Sequence, residues 1–251
     1  MTVQNLPAPK LHKSVFQARY EAKLEFYENL YPAARKFDEI PHWETNGMTV
    51  TLFDFDKHIS VGIAPNSFSY SQDSADLQLE SKYLGRIIDV LTSALRISKF
   101  TRLGLRRWYL IPVTFSFESL ASILDLKLSA QDEKLQKIMP QKVKDLMYVT
   151  IRTEGDYTTR IVIGPTTNEQ APSLIPYDQQ HHLQVSGREE LYLEIKKGYP
   201  PVSVFLEVDH FQESENLSLD DARLFTQQAT DRVSKLTANL NDYFFSTKVE
   251  M

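Results

Sequence analysis

Residues 100–113 read FTRLGLRRWYLIPV, a stretch in which apolar residues recur at nearly every second position. A period of two is typical of a β-strand, whose successive side chains point to opposite faces of a sheet. One face then carries Arg102, Gly104, Arg106 and Trp108. The other face carries four apolar residues and one arginine: Leu103, Leu105, Arg107, Tyr109 and Ile111. The pattern therefore predicts a strand with a cationic face and a mainly apolar face.

The segments on the N-terminal side of this strand predict a hairpin followed by a helix. Residues 48–55 and 59–64 are rich in β-branched and aromatic residues, and the Asp56-Lys57-His58 segment between them favours a turn. Leucine and isoleucine then recur at spacings of 7, 4, 3 and 4 residues, at Leu77, Leu84, Ile88, Leu91 and Leu95. This spacing lines one face of a helix over residues 75–97.

The C-terminal half predicts a second hairpin and a second long helix. Residues 191–195 and 202–208 are apolar runs on either side of a turn at residues 198–201, so we expect two strands there. Ser218 lies three positions before Asp221, a spacing typical of a helix N-terminus. An apolar stripe follows at spacings of 4, 4, 3, 4 and 4 residues: Phe225, Ala229, Val233, Leu236, Leu240 and Phe244.

Both halves thus repeat the order of hairpin and helix. An offset of 143 positions places Val61 on Val204 and brings the hairpins and the helix starts into register, which favours a duplicated hairpin-then-helix unit. Residues 116–146 predict a helical connector between the halves. We therefore expect an α+β fold with antiparallel sheet and long packed helices. Residues 1–115 and 147–251 would form its two halves, either as separate units or as one compact domain.

Composition and charge restrict the class of protein. Of the 251 residues, 42% are hydrophobic and 24% are charged, which is typical of a compact globular protein. The chain contains no cysteine, which excludes disulfides, thiolate metal sites and cysteine nucleophiles. A net charge of −5 disfavours a general nucleic-acid-binding surface. No apolar run approaches the roughly 18 residues that span a bilayer, and the N-terminus does not form a signal peptide, so we expect a cytoplasmic protein without membrane contact.

The most polarised stretch of the chain lies between Asp89 and Glu118, where there are five basic residues and no acidic one. Within it, Arg102 and Arg106 flank Gly104 on one strand face. Two guanidinium groups beside a residue without a side chain can receive a phosphate or a carboxylate, with the indole of Trp108 beside them. The alternative is that both arginines pair with acids of the protein itself.

Acids suited to such pairing lie in residues 207–221, which contain six acidic residues and no lysine or arginine. If the two halves form one sheet or two facing sheets, Arg102 and Arg106 could lie against Glu207 and Asp209. The same two carboxylates could instead form a catalytic or metal-binding pair. The sequence leaves both interpretations open.

A second group of polar residues lies at the first predicted turn. Asp54, Asp56 and His58 alternate, so an uninterrupted strand would place three potential metal ligands on one face. The turn falls among these residues and separates their side chains. We therefore expect no metal site there, and no bound cofactor.

The segment Thr101-Arg102-Leu103-Gly104-Leu105-Arg106 resembles an Arg-x-Gly-x-Arg strand that follows a helix in an uncharacterised, sporadically distributed prokaryotic family of similar length. The acidic strand Phe205-Leu206-Glu207-Val208-Asp209 and the long C-terminal helix ending in Tyr243-Phe244-Phe245 are also similar to that family. In the family a tyrosine follows the second arginine and an asparagine follows two positions later, whereas this chain has Arg107 and Tyr109. The resemblance implies a sheet-and-helix fold and a prokaryotic origin. It implies no activity.

Three classes of function are compatible with these features. The first is a non-catalytic interaction or sensor subunit of a prokaryotic system, related to defence or to toxins, with a protein partner or a second copy of the chain. The second is a small-anion or nucleotide binder that uses Arg102 and Arg106. The third is a metal-dependent hydrolase or nuclease built on Asp54, Asp56, Glu207 or Asp209. No Gly-x-Ser-x-Gly motif is present, and the first class is the leading hypothesis.

Overall fold

The computed structural model describes residues 8–128, 145–177 and 187–245. Its strands are β1 (Lys10–Arg19), β2 (His42–Thr45), β3 (Val50–Asp54), β4 (Ile59–Ala64), β5 (Ser67–Gln72), β6 (Phe100–Pro112), β7 (Tyr148–Glu154), β8 (Tyr157–Thr167) and β9 (Val202–Leu217). Its helices are α1 (Glu25–Ala34), α2 (Leu77–Asp89), α3 (Phe117–Leu128), α4 (Ala171–Leu174), α5 (Glu189–Lys197) and α6 (Leu219–Phe245).

The strands of the described residues form one nine-stranded sheet in the order β2-β3-β4-β5-β1-β6-β9-β8-β7. Every neighbouring pair in it is antiparallel. The predicted α+β class with antiparallel sheet is thereby confirmed. Strands from residues 1–115 and 147–251 belong to the same sheet, and they meet where β6 pairs with β9.

One face of the sheet, here called the helical face, carries the main core. Phe26 of α1, Ile87 of α2, Leu120 of α3 and Phe225 of α6 are fully buried there in one apolar cluster, together with Leu105 of β6. Burial of this many large apolar side chains is the main force that holds helices on a sheet. The apolar side of β6 therefore binds the sheet to its helices.

Helix α6 forms as its sequence predicts. Ser218 and Asp221 cap one another, since the Ser218 backbone N–H donates to the Asp221 carboxylate and the Asp221 N–H donates to Ser218 Oγ at 3.1 Å. Ala229, Val233 and Phe244 are buried against the sheet. The remaining stripe residues, Leu236 and Leu240, are partly buried and pack against the same core. The long helix and its core-facing stripe are confirmed.

The opposite face, here called the arginine face, carries Arg102, Gly104, Arg106 and Trp108 and is covered by smaller elements. Trp108 packs there in a cluster that includes Ala171 of α4, Phe205 and Tyr199. A further cluster joins Phe53, Phe55 and Tyr177, with side chains of α5 packed against it.

Several predicted elements differ from the observed ones. The strand predicted over residues 191–195 is wrong, because these residues lie inside α5. Glu189 and Glu190 in the first turn and Lys196 and Lys197 in the last turn favour a helix through the helix dipole. The offset of 143 positions therefore pairs strand β3 with helix α5 and does not relate two like units.

Two other differences are smaller. Strand β5 lies between the predicted hairpin and the predicted helix, and α2 ends at Asp89 before a π-helical turn over Val90–Ala94. Helix α3 occupies the start of the predicted connector, and residues 129–144 of that connector lie outside the described residues.

No helix in the described part of the chain combines the length and the apolar character needed to cross a membrane.

Candidate functional site

A cavity of about 230 Å³ opens on the arginine face where β1, β6 and β9 lie side by side. Its lining contains three guanidinium groups and one carboxylate, and comprises Val15, Gln17, Arg19, Arg102, Gly104, Arg106, Trp108 and Asp209. All four predicted ligand-binding candidates, Arg102, Gly104, Arg106 and Trp108, are among these residues. We call this space the arginine cavity.

Strand register brings the lining together. Arg106 of β6 lies opposite Val15 of β1 and Asp209 of β9. Gly104 lies opposite Gln17, and Arg102 lies opposite Arg19. Because paired residues of antiparallel strands point to the same face, each pair places both side chains at the cavity.

The carboxylate of Asp209 lies between the two predicted arginines. Its Oδ2 atom accepts hydrogen bonds from Arg106 Nη2 at 2.7 Å and from Arg102 Nη2 at 3.3 Å. The Asp209 side chain is only 5% exposed, whereas the Arg106 side chain is 41% exposed. One buried acid thus neutralises part of the charge of two guanidinium groups.

Glu207, the other predicted partner, makes its closest ion pair elsewhere. Its Oε1 atom pairs with Nη1 of Arg160, which lies on the neighbouring strand β8 opposite Asp209. Arg106 Nε is 3.9 Å from the same oxygen, at the outer limit of an ion pair. Asp209 is therefore the principal partner of Arg106.

The Arg102 guanidinium group lies flat against the sheet, and only some of its hydrogen-bond donors have a partner in the described part of the chain. Its guanidinium carbon is 4.0 Å from the ring centroid of Phe211, a cation–π contact. Its Nη1 atom is 3.8 Å from a carboxylate oxygen of the exposed Glu213. The Nε atom is buried and has no hydrogen-bond partner in the described part of the chain. Because an unmade hydrogen bond of a buried donor is costly, such an atom often marks a place that a ligand or water completes.

Gly104 keeps the floor of the cavity low. A Cβ atom added there would lie 3.4 Å from Phe211 Cβ and 3.6 Å from Arg102 Nε, which are ordinary contact distances. The fold would therefore accept a small side chain at this position. What a larger side chain would remove is the space between the two arginines.

Arg19 is the third guanidinium group of the cavity and was not predicted. It is exposed, its Nε donates to Gln17 Oε1 at 3.0 Å, and it makes no ion pair with any residue that the structure describes. The alternation of Val15, Gln17 and Arg19 indicates a strand, but it does not show that this strand lies beside β6. The cavity lining as a whole has a formal charge of +2, from three arginines and one aspartate.

Trp108 forms a wall of the cavity and is mainly a core residue. It is 5% exposed and packs in the cluster under α4. The Arg106 guanidinium carbon lies 5.7 Å from the centre of its ring. The indole therefore supports the position of Arg106 and offers little surface to a ligand.

Arg107, the neighbour of Arg106 in the chain, points to the helical face and is fully buried. Its guanidinium pairs with Glu80 of α2, which is 1% exposed, and donates to Ser234 Oγ of α6 at 3.0 Å. Ser14 and Thr230 also donate to the Glu80 carboxylate. Burial opposes the charge of Arg107, but the hydrogen bonds and charge of Glu80 outweigh it, so the pKa of Arg107 is raised.

At the first turn, Asp54 and His58 make hydrogen bonds with different partners. Asp54 Oδ1 accepts the backbone N–H groups of Asp56 at 3.0 Å and Lys57 at 3.1 Å, and its Oδ2 accepts from Lys57 Nζ at 2.7 Å. His58 Nδ1 lies 3.2 Å from the Tyr177 hydroxyl. The Asp54 carboxylate thus stabilises the turn that follows β3. The described residues include no group of three potential metal ligands.

No known protein-family model matches this chain, and no curated protein shows significant sequence similarity to it. The resemblance carried by the Arg-x-Gly-x-Arg strand therefore stays a prediction.

Proposed function

We propose that the protein binds a small anion, a phosphate or a carboxylate, in the arginine cavity, and that it acts as a ligand-binding sensor. The observation that carries this proposal is the lining itself, in which Arg19, Arg102 and Arg106 face one carboxylate, Asp209. Like charges gathered in a partly enclosed space attract an anion more strongly than the same charges on an open surface. An anion would relieve their mutual repulsion.

The chemistry of the lining favours binding. Guanidinium groups stay protonated at physiological pH and offer only donors, so they hold an anion without exchanging protons with it. Arg106 presents a partly exposed edge, and Arg102 holds a donor without a partner. That donor, Arg102 Nε, lies 3.6 Å from the position that a Cβ atom would take on Gly104, so it borders the space above this glycine.

A sensor role follows from the position of Asp209. An incoming anion competes with this carboxylate for the guanidinium groups of Arg102 and Arg106. Binding would therefore redistribute the side-chain bonds that link β6 to β9, where the two halves of the chain meet. We propose that a protein partner, or a second copy of the chain, reads that change.

The alternative of a metal-dependent hydrolase has less support. Asp54 already pairs with Lys57, and Asp209 already pairs with two arginines. The strands that carry them, β3 and β9, are five steps apart in the sheet. These carboxylates would have to leave cationic partners to take up a metal ion, and they could not share one.

Isothermal titration calorimetry with inorganic phosphate and with citrate tests the proposal. We expect saturable binding of at least one of these anions to the wild-type protein. Arg19→Gln should weaken it by about tenfold, which corresponds to about 1.4 kcal/mol, the order of one charge-assisted hydrogen bond. Because Arg19 is exposed and unpaired, this variant should keep wild-type stability within about 0.5 kcal/mol.

Arg223→Gln on α6 is the matched control. It removes the same charge from an exposed side chain on the helical side of the sheet, where its nearest acid is Asp220 at 3.8 Å. This variant should bind phosphate and citrate as the wild type does. Absence of binding to the wild-type protein, or equal losses in the two variants, would overturn the proposal.

A further inference from the structure

The arginine face continues beyond the cavity into a surface of small polar residues. On β4 and β5 this surface comprises Ser60, Gly62, Ala64, Ser67, Ser69 and Ser71, which we call the serine shelf. Four of these six residues are serines, and all six lie on the same side of the sheet as Arg106 because their strands are paired in register through β1. The shelf therefore adjoins the cavity across a single strand.

One cross-strand row links the two regions. Gly104 pairs with Gln17, Gln17 pairs with Ser69, and Ser69 pairs with Gly62. Adjacent strands lie about 4.8 Å apart, so this row of three steps is about 14 Å long. A ligand whose anion lies at Gly104 could extend along it with its other end over Gly62.

The hydroxyl groups of the shelf have no hydrogen-bond partner within residues 8–128, 145–177 and 187–245. Those of Ser60, Ser67 and Ser69 make no hydrogen bond to any residue that the structure describes, and all three residues are partly exposed. Ser71 is 5% exposed, and its Oγ is buried without a partner among the described residues. A buried hydroxyl without a partner is costly in a native protein, and this one lies next to Val15 of the cavity lining.

Gly62 keeps the shelf flat. A Cβ atom at this position would lie 2.6 Å from Ser69 Oγ, closer than real contacts allow. The Ser69 hydroxyl therefore leans over Gly62, into space that any other residue would fill. The Ser69 hydroxyl therefore stands at the far end of the row, beside the open surface of Gly62.

We propose that the anion of the arginine cavity is the phosphate group of a sugar phosphate, and that the sugar hydroxyls bind the serine shelf. This inference rests on the proposed function. Three guanidinium groups line the cavity, and a phosphate monoester offers three strong acceptor oxygens to them, whereas a carboxylate offers two. Serine hydroxyls donate and accept hydrogen bonds, as sugar hydroxyls do, so the two surfaces are complementary.

The shelf favours a sugar over a nucleotide. The shelf residues carry no aromatic ring, and Phe53, which lies opposite Ser60 on the neighbouring strand, is only 8% exposed and packs in its own cluster. Base recognition on open sheets relies on stacking against exposed rings. Phe211, the aromatic residue beside Gly104, is covered by the Arg102 guanidinium. We therefore assign the ligand body to the polyhydroxyl class.

Calorimetry with four compounds tests this assignment: ribose 5-phosphate, n-pentyl phosphate, adenosine monophosphate and inorganic phosphate. Ribose 5-phosphate and n-pentyl phosphate share the anion and the chain length but differ in their hydroxyls. We expect ribose 5-phosphate to bind at least about tenfold more tightly than n-pentyl phosphate, a ratio typical of one or two good hydrogen bonds. It should also bind more tightly than adenosine monophosphate.

The variant Ser69→Ala tests whether the serine shelf binds the sugar hydroxyls. It should weaken ribose 5-phosphate binding several-fold and leave n-pentyl phosphate binding unchanged, because only the hydroxyl contact is lost. Ser119→Ala, which removes an exposed hydroxyl on α3, should change neither. Thermal unfolding of both variants verifies that they remain folded.

The outcomes separate this inference from the proposed function. Equal affinity for ribose 5-phosphate and n-pentyl phosphate would overturn the sugar assignment and leave anion binding standing. Tighter binding of adenosine monophosphate would overturn it in favour of a nucleotide. If none of the phosphates binds, this inference fails, and if citrate does not bind either, the proposed function fails with it.

Discussion

Arg106 and Arg107 are neighbours in the chain, and they lie in opposite environments on the two faces of β6. Arg107 is fully buried on the helical face, where it is joined to Glu80 and to residues of α6. Arg106 is 41% exposed on the arginine face, where its main contact is one oxygen of Asp209. An arginine is thus part of the core on one side of β6, and an arginine borders a cavity on the other side.

The difference shows how burial decides what an arginine can do. A fully buried charge is tolerated only when its partners satisfy it completely, and such a network cannot release it for another anion. A partly exposed guanidinium keeps access to solvent, so an external anion can compete for it. We infer that the helical face stabilises the protein and that the arginine face binds its ligand.

The largest expected effect on stability comes from removing Arg107, the buried one of the two arginines. Arg107→Ala leaves the Glu80 carboxylate buried without its cation, and it should lower the free energy of unfolding by about 3 to 5 kcal/mol. Urea denaturation, followed by circular dichroism, measures this loss.

The double variant Arg107→Met, Glu80→Leu is the control for Arg107→Ala. It replaces both charges by apolar side chains and should recover part of the lost stability, since no charge stays buried without its partner. The recovery should be incomplete, because Ser14 and Thr230 lose Glu80 as their acceptor. A loss below about 0.5 kcal/mol for Arg107→Ala, the usual range for surface sites, would contradict the assigned role.

A smaller effect is expected when the acid of the arginine cavity is neutralised. Asp209→Asn removes two charge-assisted hydrogen bonds, one of them to a partly exposed partner, and should lower the free energy of unfolding by about 1.5 to 3 kcal/mol. The same change should strengthen phosphate binding, because the ligand no longer competes with a carboxylate. Chemical denaturation and calorimetry measure the two effects.

Glu213→Gln is the matched control for Asp209→Asn. Its carboxylate is 56% exposed and lies 3.8 Å from Arg102, so its neutralisation should change stability and affinity little. Weaker phosphate binding in Asp209→Asn would argue that Asp209 organises the site and does not compete with the ligand.

Double-mutant cycles sharpen the comparison at Arg106 itself. The coupling energy between Arg106 and Asp209 should be about 1 kcal/mol, at the upper end for a partly exposed pair, because their atoms are 2.7 Å apart. The coupling between Arg106 and Glu207, 3.9 Å apart, should be at the lower end, near about 0.2 kcal/mol. The reverse order would show that Glu207 is the true partner.

A separate prediction concerns the sensitivity of the fold to acid, which does not come from Arg106 or Arg107, because guanidinium groups keep their charge over the relevant pH range. Burial, and next the charge of Lys10, lower the pKa of His12 to about 4, and its ring lies 5.3 Å from that of Tyr199. The folded protein therefore binds this proton more weakly than the unfolded chain, in which the pKa of histidine is about 6.5. The stability that depends on neutral His12 is complete above about pH 6.5 and is lost as the pH falls towards 4.

Urea denaturation between pH 7 and pH 4 measures this contribution. The stability of His12→Gln should decline less steeply with falling pH than that of the wild type, because glutamine does not titrate. Parallel pH profiles for the two proteins would contradict the assignment to His12.

Elements with a strong local period could be predicted from the sequence. The alternation in β6 and the capped apolar stripe of α6 each occur within one continuous segment, and both elements formed as expected. The alternation of Ser67, Ser69 and Ser71 with Phe68 and Tyr70 carried the same kind of signal for β5, although this strand was not predicted.

Residues 191–195 show where local pattern fails. A short apolar run has no period that distinguishes a strand from a helix. Here the flanking charges and the packing of Leu191 and Ile195 against Phe55 decide for the helix. That contact joins segments far apart in the chain, and it cannot be read from the run alone.

The sequence by itself determined which side chains share a face of β6, because the geometry of an extended chain sends neighbouring residues to opposite sides. It also determined that Arg102 and Arg106 would need anions from outside their own segment. Only the tertiary structure decided which anions these are, since Arg106 and Asp209 are separated by 103 positions. The placement of β6 beside β1 added Arg19 and Gln17 to the cavity, and the placement of β9 beside β8 brought Glu207 to Arg160. Strand order depends on burial summed over the whole sheet, so no local pattern contains it.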